Sequence, residues 1–200
     1  MHELALIMAG DRPGPDQEEF ARTVKEAKAG SVVAFESILR RYERRVLMTA
    51  LRLLNGNLED AKDASQAVFL RLHKYLYQLD ENRCFASWLY RMTVNVCRDM
   101  NRSRMRHPAM SLADAGEIAA AALGAEEMIE RSQQNQMIAE ALNALPEKER
   151  AAIVLRDIEG LTTREVARIL GSSEVTVRSQ ISSARLKIRK FTQRLHGRRS

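Results

Sequence analysis

The stretch from Leu161 to Arg189 constrains the fold most, because its residues follow the pattern of a helix-turn-helix. Gly171 stands where the first helix must end, and glycine takes the left-handed backbone of such an ending at little cost. Ser172 and Ser173 offer hydroxyl groups that can cap the helix that follows. Four apolar residues then recur at helical spacing and predict the buried stripe of the second helix: Val177, Ile181, Ala184 and Ile188.

The opposite face of that second helix is polar. It carries the hydroxyl, carboxylate and guanidinium groups with which DNA-binding helices contact base edges and phosphates. These residues are Glu174, Thr176, Arg178, Ser179, Ser182, Ser183 and Arg185. A helical hairpin with a merely solvated charged face is the alternative, but the coincidence of hairpin, glycine turn and basic continuation favours a DNA-binding unit.

Positive charge is concentrated in two segments of the chain, whose overall net charge is +6. Residues 98–106 contain four arginines and one aspartate, which gives a net charge of +3. Residues 174–200 contain eight basic residues and one glutamate, which gives +7, so the remainder of the chain carries −4. Two basic patches on an otherwise mildly acidic protein indicate a polyanion that is contacted at two places.

The two cysteines and four histidines show no metal-ligand spacing, and we expect no metal, no cofactor and no disulfide. Reduced thiols are typical of the cytoplasm, where we expect the protein to work. Residues 1–16 lack the basic start and long apolar core of a signal peptide, and we expect them to be a disordered leader. No apolar run is long enough to span a membrane, so we expect no membrane insertion.

Helical periodicity recurs along the chain, and no alternating β pattern of useful length appears. Before the helix-turn-helix, it predicts helices at 17–29, 35–54, 59–79, from 85 onward, 126–145 and 147–158. Residues 107–125 contain proline, glycine and many alanines with few bulky apolar residues, which predicts a flexible linker. We therefore expect an all-α protein with two small helical domains, at 17–106 and 126–197.

Six of the ten aromatic residues fall between positions 69 and 90: Phe69, Tyr75, Tyr77, Phe85, Trp88 and Tyr90. Aromatic rings beside a basic helix end suit single-stranded nucleic acid, because unstacked bases can stack on them. We expect Phe85 in the core, whereas packing and base contact are equally open for Trp88. Asn95, Arg98, Asp99 and Arg102 share one helix face, whose amide and guanidinium groups can hydrogen-bond bases and phosphates together. A solvated charged stripe is the alternative for this face.

Four segments, in this order, resemble the extracytoplasmic-function (group IV) sigma factors, the two-domain promoter-recognition subunits of bacterial RNA polymerase. AKAGSVVAFESILRRYERRV resembles the first conserved helix pair, and EDAKDASQAVFLRLHKYL resembles the segment that binds the clamp coiled coil of the polymerase. CFASWLYRMTVNVCRDMNRSRMR resembles the segment that melts and recognises the -10 promoter element. LPEKERAAIVLRDIEGLTTREVARILGSSEVTVRSQISSARLKIRKF resembles the domain that binds the -35 element as duplex DNA.

The resemblance implies a sigma region 2-like helical bundle followed by a sigma region 4-like helix-turn-helix, with roles for individual residues. The polymerase-binding surface would comprise Asp60, Asp63, Gln66 and Phe69. The -10 element would be contacted by Asp80, Asn82 and Arg83, in a loop that captures a flipped base, and by Trp88, Asn95, Arg98 and Arg102. The -35 duplex would be contacted by Arg164, Glu174, Thr176, Arg178, Ser179, Ser182, Arg185 and Lys187.

The same resemblance implies core RNA polymerase and promoter DNA as partners, an anti-sigma factor as a candidate third, and no enzymatic activity. The chain departs from the family pattern at Ser65 and Ala67 in the polymerase-binding segment, where an apolar residue and a glutamate are usual. Gln180 and Ser183 replace residues that are often basic in the recognition helix, so its phosphate contacts would depend on the remaining cations.

Two other classes of protein are alternatives to this interpretation. A conventional helix-turn-helix regulator would bind duplex DNA without polymerase, but it explains neither the clustered aromatics nor the second basic patch. A nucleic-acid-processing enzyme could use Asp60 and Asp63, which share a helix face, to hold Mg²⁺. No histidine or cysteine accompanies these carboxylates in a catalytic constellation.

Overall fold

The computed structural model describes residues 17–80, 84–106 and 137–196, and within these ranges every regular element is a helix. The first half of the protein (17–106) contains α1 (Gln17–Lys28), α2 (Val32–Leu53), α3 (Leu58–Tyr75), a 3-10 turn (Leu76–Gln78) and α4 (Phe85–Arg106). The second half (137–196) contains α5 (137–143), α6 (Glu147–Ile153), a π-helical turn (Val154–Ile158), α7 (Thr163–Leu170) and α8 (Glu174–His196). The all-α prediction is confirmed. The predicted leader at 1–16 and linker at 107–125 lie outside the described residues.

Side-chain caps begin α2 and α3. The Ser31 hydroxyl accepts a hydrogen bond from the backbone N–H of Ala34, and the Asn57 side chain accepts one from the backbone N–H of Asp60 at 2.9 Å. Between the two helices, Asn55 (φ 59°) and Gly56 (φ 78°) both adopt the left-handed conformation. Asparagine tolerates that region better than most residues that have a Cβ. These two residues therefore reverse the chain so that α3 packs back on α2.

The core of the first half is formed by the apolar stripes of α2, α3 and α4. Their fully buried residues are Ile38, Val46, Ala50, Ala61, Ala64, Val68, Leu72 and Leu89. Burying one such aliphatic side chain stabilises the fold by roughly 1.5–3 kcal/mol for valine or larger residues, so this stripe holds the bundle together. α1 packs across α2, and the rings of Phe20 and Tyr42 lie 5.7 Å apart between centroids.

The predicted helix-turn-helix is confirmed in α7 and α8. Thr162 and Glu165 form a reciprocal capping box at the start of α7, which ends at Gly171 with φ 63°. The Ser173 hydroxyl then accepts the backbone N–H of Thr176 at 3.1 Å and caps α8. Three residues of the predicted α8 stripe are buried and the fourth is partly buried: Val177, Ile181, Ala184 and Ile188.

The helix predicted over 147–158 is continuous in space but changes its winding at Val154. From there the chain forms a π-helical turn, in which the backbone N–H of Glu159 donates to the carbonyl of Val154, five residues earlier, at 3.0 Å. Gly160 follows with φ 74°, which begins the connection to α7. Because each π turn contains more residues than an α turn, this segment changes the direction in which Glu159 projects.

The two halves of the protein are packed against each other. α4 contacts α7, and α2 contacts both α6 and the π-helical turn. The buried apolar residues of both halves belong to one continuous core, from Val24 on α1 to Ala184 on α8. The candidate interfaces of the two halves therefore lie on a closed molecule.

Candidate polymerase and nucleic-acid interfaces

The predicted polymerase-binding residues lie along α3. Asp63 and Gln66 are exposed on adjacent turns, whereas Phe69 is partly buried against the core. Asp60 is largely buried and forms an ion pair with Arg104 of α4. The arrangement leaves Asp63 and Gln66 as the accessible polar groups of this predicted surface.

Sequence reasoning missed Leu70 on the same face of α3. Its side chain is 65% exposed. It follows Gln66 by four residues and Asp63 by seven, so the three side chains lie side by side on the helix. The signal was available in the sequence, because a leucine at this position lies off the buried stripe of Ala64, Val68 and Leu72.

The predicted strand-contacting face lies on α4. Asn95 and Arg102 are exposed, and Arg98 between them is partly buried. The Arg98 guanidinium lies 3.8 Å from a carboxylate oxygen of Glu147, at the start of α6 in the second half. One of the predicted DNA-contacting cations is therefore paired across the boundary between the halves.

The aromatic cluster divides into buried and accessible rings. Phe85 is buried, as predicted, and its centroid lies 5.3 Å from those of Phe20 and Tyr42. Trp88 is partly buried, 6.4 Å from Phe85, so it both packs and keeps an exposed portion. Tyr90 is buried between the halves and, in this closed arrangement, is not available to nucleic acid.

The predicted base-capturing loop begins directly after a backbone anchor. The ammonium group of Lys28 in α1 donates to the carbonyl of Leu79 at 2.8 Å, which ties α1 to the point where the loop starts. Asp80 is exposed. Asn82 and Arg83 lie outside the described residues.

The predicted -35 residues form two groups on the helix-turn-helix. Thr176, Arg178, Ser179 and Ser182 are exposed on the first turns of α8, and Arg164 is exposed on α7. Glu174 is partly buried and pairs with Arg178 at 3.0 Å. Val175, which sequence reasoning missed, is also strongly exposed beside them. These side chains are the accessible part of the predicted -35 surface.

The second group lies further along α8 and is held by acidic residues of the second half itself. Arg185 donates to both carboxylate oxygens of Asp157 at 2.9 and 2.7 Å, and this hydrogen bonding raises the pKa of the guanidinium. Lys187 donates to both oxygens of Glu149, at 2.7 and 2.9 Å. The Ser183 hydroxyl also donates to Glu149 at 3.0 Å, which accounts for a serine at that position. Both cations remain about half exposed.

The sequence matches two families described as sigma-70 region 2, over residues 38–107, and sigma-70 region 4, over residues 135–188. It is 34% identical over 160 residues to the ECF RNA polymerase sigma factor SigM of Mycobacterium tuberculosis, covering 80% of this chain and 78% of SigM. The chain belongs to the ECF sigma factor family. The prediction from sequence resemblance is confirmed, and so is an alternative sigma factor function that directs promoter-specific transcription.

Other ECF sigma factors show the same relationship at lower identity. The ECF sigma-E factor of Escherichia coli K12 is 29% identical over 170 residues, covering 81% of this chain and 88% of that protein. Among solved structures, CnrH in complex with the cytosolic domain of CnrY gives a TM-score of 0.63 at 25% identity, covering 86% of this chain and 96% of CnrH. The sigma factor RpoE of Bartonella quintana, in complex with the anti-sigma factor NepR, shares the fold with a TM-score of 0.69 at 21% identity, covering 81% of this chain and 98% of RpoE.

Sigma factors are transcription initiation factors. Across residues 17–80, 84–106 and 137–196, no three histidine, cysteine or acidic side chains come together as metal ligands would. Asp60, one of the two candidate Mg²⁺ ligands, is instead paired with Arg104. Among the described helices, none has the length and apolar character that crossing a membrane requires.

Proposed function

We propose that this sigma factor divides its work between its halves, with core RNA polymerase bound along α3, the melted -10 strand along α4 and the -35 duplex against the start of α8. The observation that supports this division most is the separation of the exposed groups. On the face of α3 that carries Asp63, Gln66 and Leu70, the exposed groups are a carboxylate, an amide and an apolar side chain, whereas the predicted DNA faces of α4 and α8 expose guanidinium, hydroxyl and amide groups. Phosphates attract the guanidinium groups of the second set and repel the carboxylate of the first.

The polymerase surface centres on Asp63, Gln66 and Leu70. An exposed apolar side chain between polar neighbours is typical of a protein-binding site, where burial of the apolar group supplies affinity and the polar rim supplies orientation. Ser65 and Ala67 border this face and are partly buried, so the departures from the family pattern leave its centre intact.

On the DNA side, Arg178, Thr176 and Ser179 would enter the major groove of the -35 element. Asn95, Arg98 and Arg102 would follow the separated -10 strand, on which Trp88 offers its exposed portion for stacking. Melting would be driven by binding, because each stacked base contributes roughly 1–3 kcal/mol. Arg185 and Lys187 would contact phosphates only with the part of their charge that Asp157 and Glu149 leave accessible.

Core polymerase and promoter DNA are the partners of a sigma factor, and we propose that this one acts in the bacterial cytoplasm. The solved relatives CnrH and RpoE are bound by the cytosolic domain of CnrY and by the anti-sigma factor NepR, respectively. We propose that a protein of the same class restrains this sigma factor. A conventional regulator is not favoured, since the sigma-70 region 2 match accounts for most of the first half.

The polymerase surface is tested by Asp63→Ala and Leu70→Ala in the full chain. We expect each variant to bind core RNA polymerase at least about fivefold more weakly, since a contact at the centre of an interface commonly contributes more than about 1 kcal/mol. The matched control is Glu43→Ala, which removes an exposed carboxylate from α2. Unchanged polymerase affinity in both α3 variants would show that the surface is assigned to the wrong face.

A further inference from the structure

Glu159 is a nearly buried carboxylate whose hydrogen-bonding partners come from the other half of the protein. Its side chain is 5% exposed. The Thr49 hydroxyl of α2 donates to Oε1 at 2.7 Å, and the Tyr90 hydroxyl of α4 donates to Oε2 at 2.5 Å. The guanidinium of Arg52, also on α2, lies 3.6 Å from Oε1. We call this group, Glu159 with Thr49, Arg52 and Tyr90, the Glu159 latch.

The latch places a charge where water cannot solvate it. A buried carboxylate strongly destabilises a fold unless hydrogen bonds and an opposite charge compensate for its loss of hydration. The neighbours show the same low polarity, because burial raises the pKa of Tyr90 and the Glu159 charge raises it further. Burial also lowers the pKa of Arg52, although the same carboxylate opposes that effect. Glu159 is therefore accommodated here only while the two halves are in contact.

Further polar contacts join the halves on either side of the latch. Asn143 donates to the backbone carbonyl of Asn55 at 3.1 Å, and Arg150 hydrogen-bonds the Asn55 side chain. Ser87 of α4 donates to Glu165 of α7 at 2.8 Å. Burial pulls the pKa of Glu165 upward, but hydrogen bonds from Thr162 and Ser87 outweigh it and leave that pKa below its ordinary value. The continuous apolar core also crosses this boundary, but each of these polar and ionic groups can be solvated again after the halves separate.

The closed arrangement conflicts with simultaneous binding of two promoter elements. Ser87 lies between Phe85 and Trp88 of the -10 region, and Glu165 follows Arg164 of the -35 region, yet their side chains touch. Elements at -35 and -10 are separated by roughly 25 base pairs, or about 85 Å of B-form DNA at 3.4 Å per pair. Two units in direct contact cannot span that distance, so the halves must separate before both elements are bound.

We propose that the Glu159 latch holds the free protein closed and that its opening precedes promoter recognition. The closed state is a property of the free chain, whereas its consequence for promoters rests on the proposed function. Opening also frees Arg98 from Glu147, so that this cation becomes available to the -10 strand at the same step. The latch thus couples the separation of the halves to exposure of a DNA-contacting residue.

The test measures the distance between the halves in the full chain by single-molecule fluorescence transfer, without polymerase or DNA. Dyes are attached at Arg44→Cys and Lys190→Cys, two exposed positions on α2 and α8. Cys84→Ser removes the exposed native thiol, while burial raises the pKa of the Cys97 thiol to about 12 and keeps it unreactive. In this background, Thr49→Val and Glu159→Gln are compared with the unaltered latch.

We expect each variant to raise the ratio of open to closed molecules by roughly two- to tenfold, the range of one net hydrogen bond. The control is Thr23→Val, which loses a hydroxyl bonded only to the carbonyl of Glu19 within α1. If circular dichroism shows that one of these variants does not fold, Tyr90→Phe, which removes a single hydrogen bond to Glu159, decides by the same measurement.

Two results would overturn the latch: an unaltered protein that is already predominantly open, or variants whose transfer efficiency equals that of Thr23→Val. Both results come from fluorescence-transfer measurements in the absence of polymerase. If the variants open but the protein never directs transcription, the latch proposal is supported and the proposed function is refuted. The two failures are therefore distinguishable.

Discussion

Replacing Arg178 by alanine separates the role of this residue in DNA binding from its role in the fold. Arg178 is 64% exposed on α8 and pairs with Glu174, four residues earlier, at 3.0 Å. An exposed pair of this kind contributes about 0.3–0.5 kcal/mol after solvent screening. The free energy of unfolding should therefore change by less than about 0.5 kcal/mol.

The loss in promoter affinity should be much larger. A bidentate arginine–guanine contact supplies roughly 1–3 kcal/mol of discrimination, which corresponds to about fivefold to 150-fold in affinity. The assay is fluorescence anisotropy of labelled promoter DNA with reconstituted holoenzyme at a fixed salt concentration, with core polymerase affinity measured in parallel. Polymerase affinity should not change.

α2 supplies a matched control for this variant. Arg40 is 80% exposed and pairs with Glu36, four residues earlier, at 3.7 Å. Arg40→Ala therefore removes the same charge and the same type of helical ion pair away from the proposed DNA surface. The reasoning is refuted if Arg178→Ala and Arg40→Ala weaken promoter binding equally, or if Arg178→Ala weakens polymerase and promoter binding to the same extent.

Three further predictions concern the fold. Gly171→Ala should lower the free energy of unfolding by about 1 kcal/mol in urea titrations, because alanine is strained at φ 63° although its Cβ meets no neighbour; no loss would contradict the left-handed helix end. Tyr90→Phe should lower the free energy of unfolding by about 1.5–3 kcal/mol, whereas Tyr77→Phe, at an exposed tyrosine, should not. Equal effects would show that the hydrogen bond from Tyr90 to Glu159 does not stabilise the fold. The folded state lowers the pKa of Glu165, so this carboxylate stabilises the fold above its ordinary pKa and loses that contribution as the pH falls below about 4. In Glu165→Gln, the free energy of unfolding should therefore change less between neutral and acid pH than in the unaltered chain.

The helix-turn-helix could be predicted from sequence because its determinants are local. Gly171 ends α7, and Ser173 caps α8, through conformations and hydrogen bonds within a few residues. The apolar spacing from Val177 onward likewise depends only on the helical period. Such features are encoded in neighbouring residues, so no knowledge of the rest of the fold is needed to find them.

The contacts between the halves could not be predicted in this way. Glu159 and Gly160 read only as a break between helices, since Thr49 and Tyr90 lie 110 and 69 residues away from Glu159 in the chain. Periodicity indicates which face of a helix is buried, but not which side chain of another helix completes a buried charge. The pairing of Arg185 with Asp157 was hidden for the same reason, because two helices must first be placed side by side.

The most direct test of sigma factor function is a map of transcript 5′ ends. Purified protein is mixed with sigma-free core RNA polymerase and fragmented genomic DNA from its source organism, with core polymerase alone as the control. A sigma factor should produce new, discrete start sites that share one motif near -10 and a second near -35. An absence of protein-dependent starts, in a preparation that still binds duplex DNA on its own, would rule out sigma factor function and favour a conventional helix-turn-helix regulator.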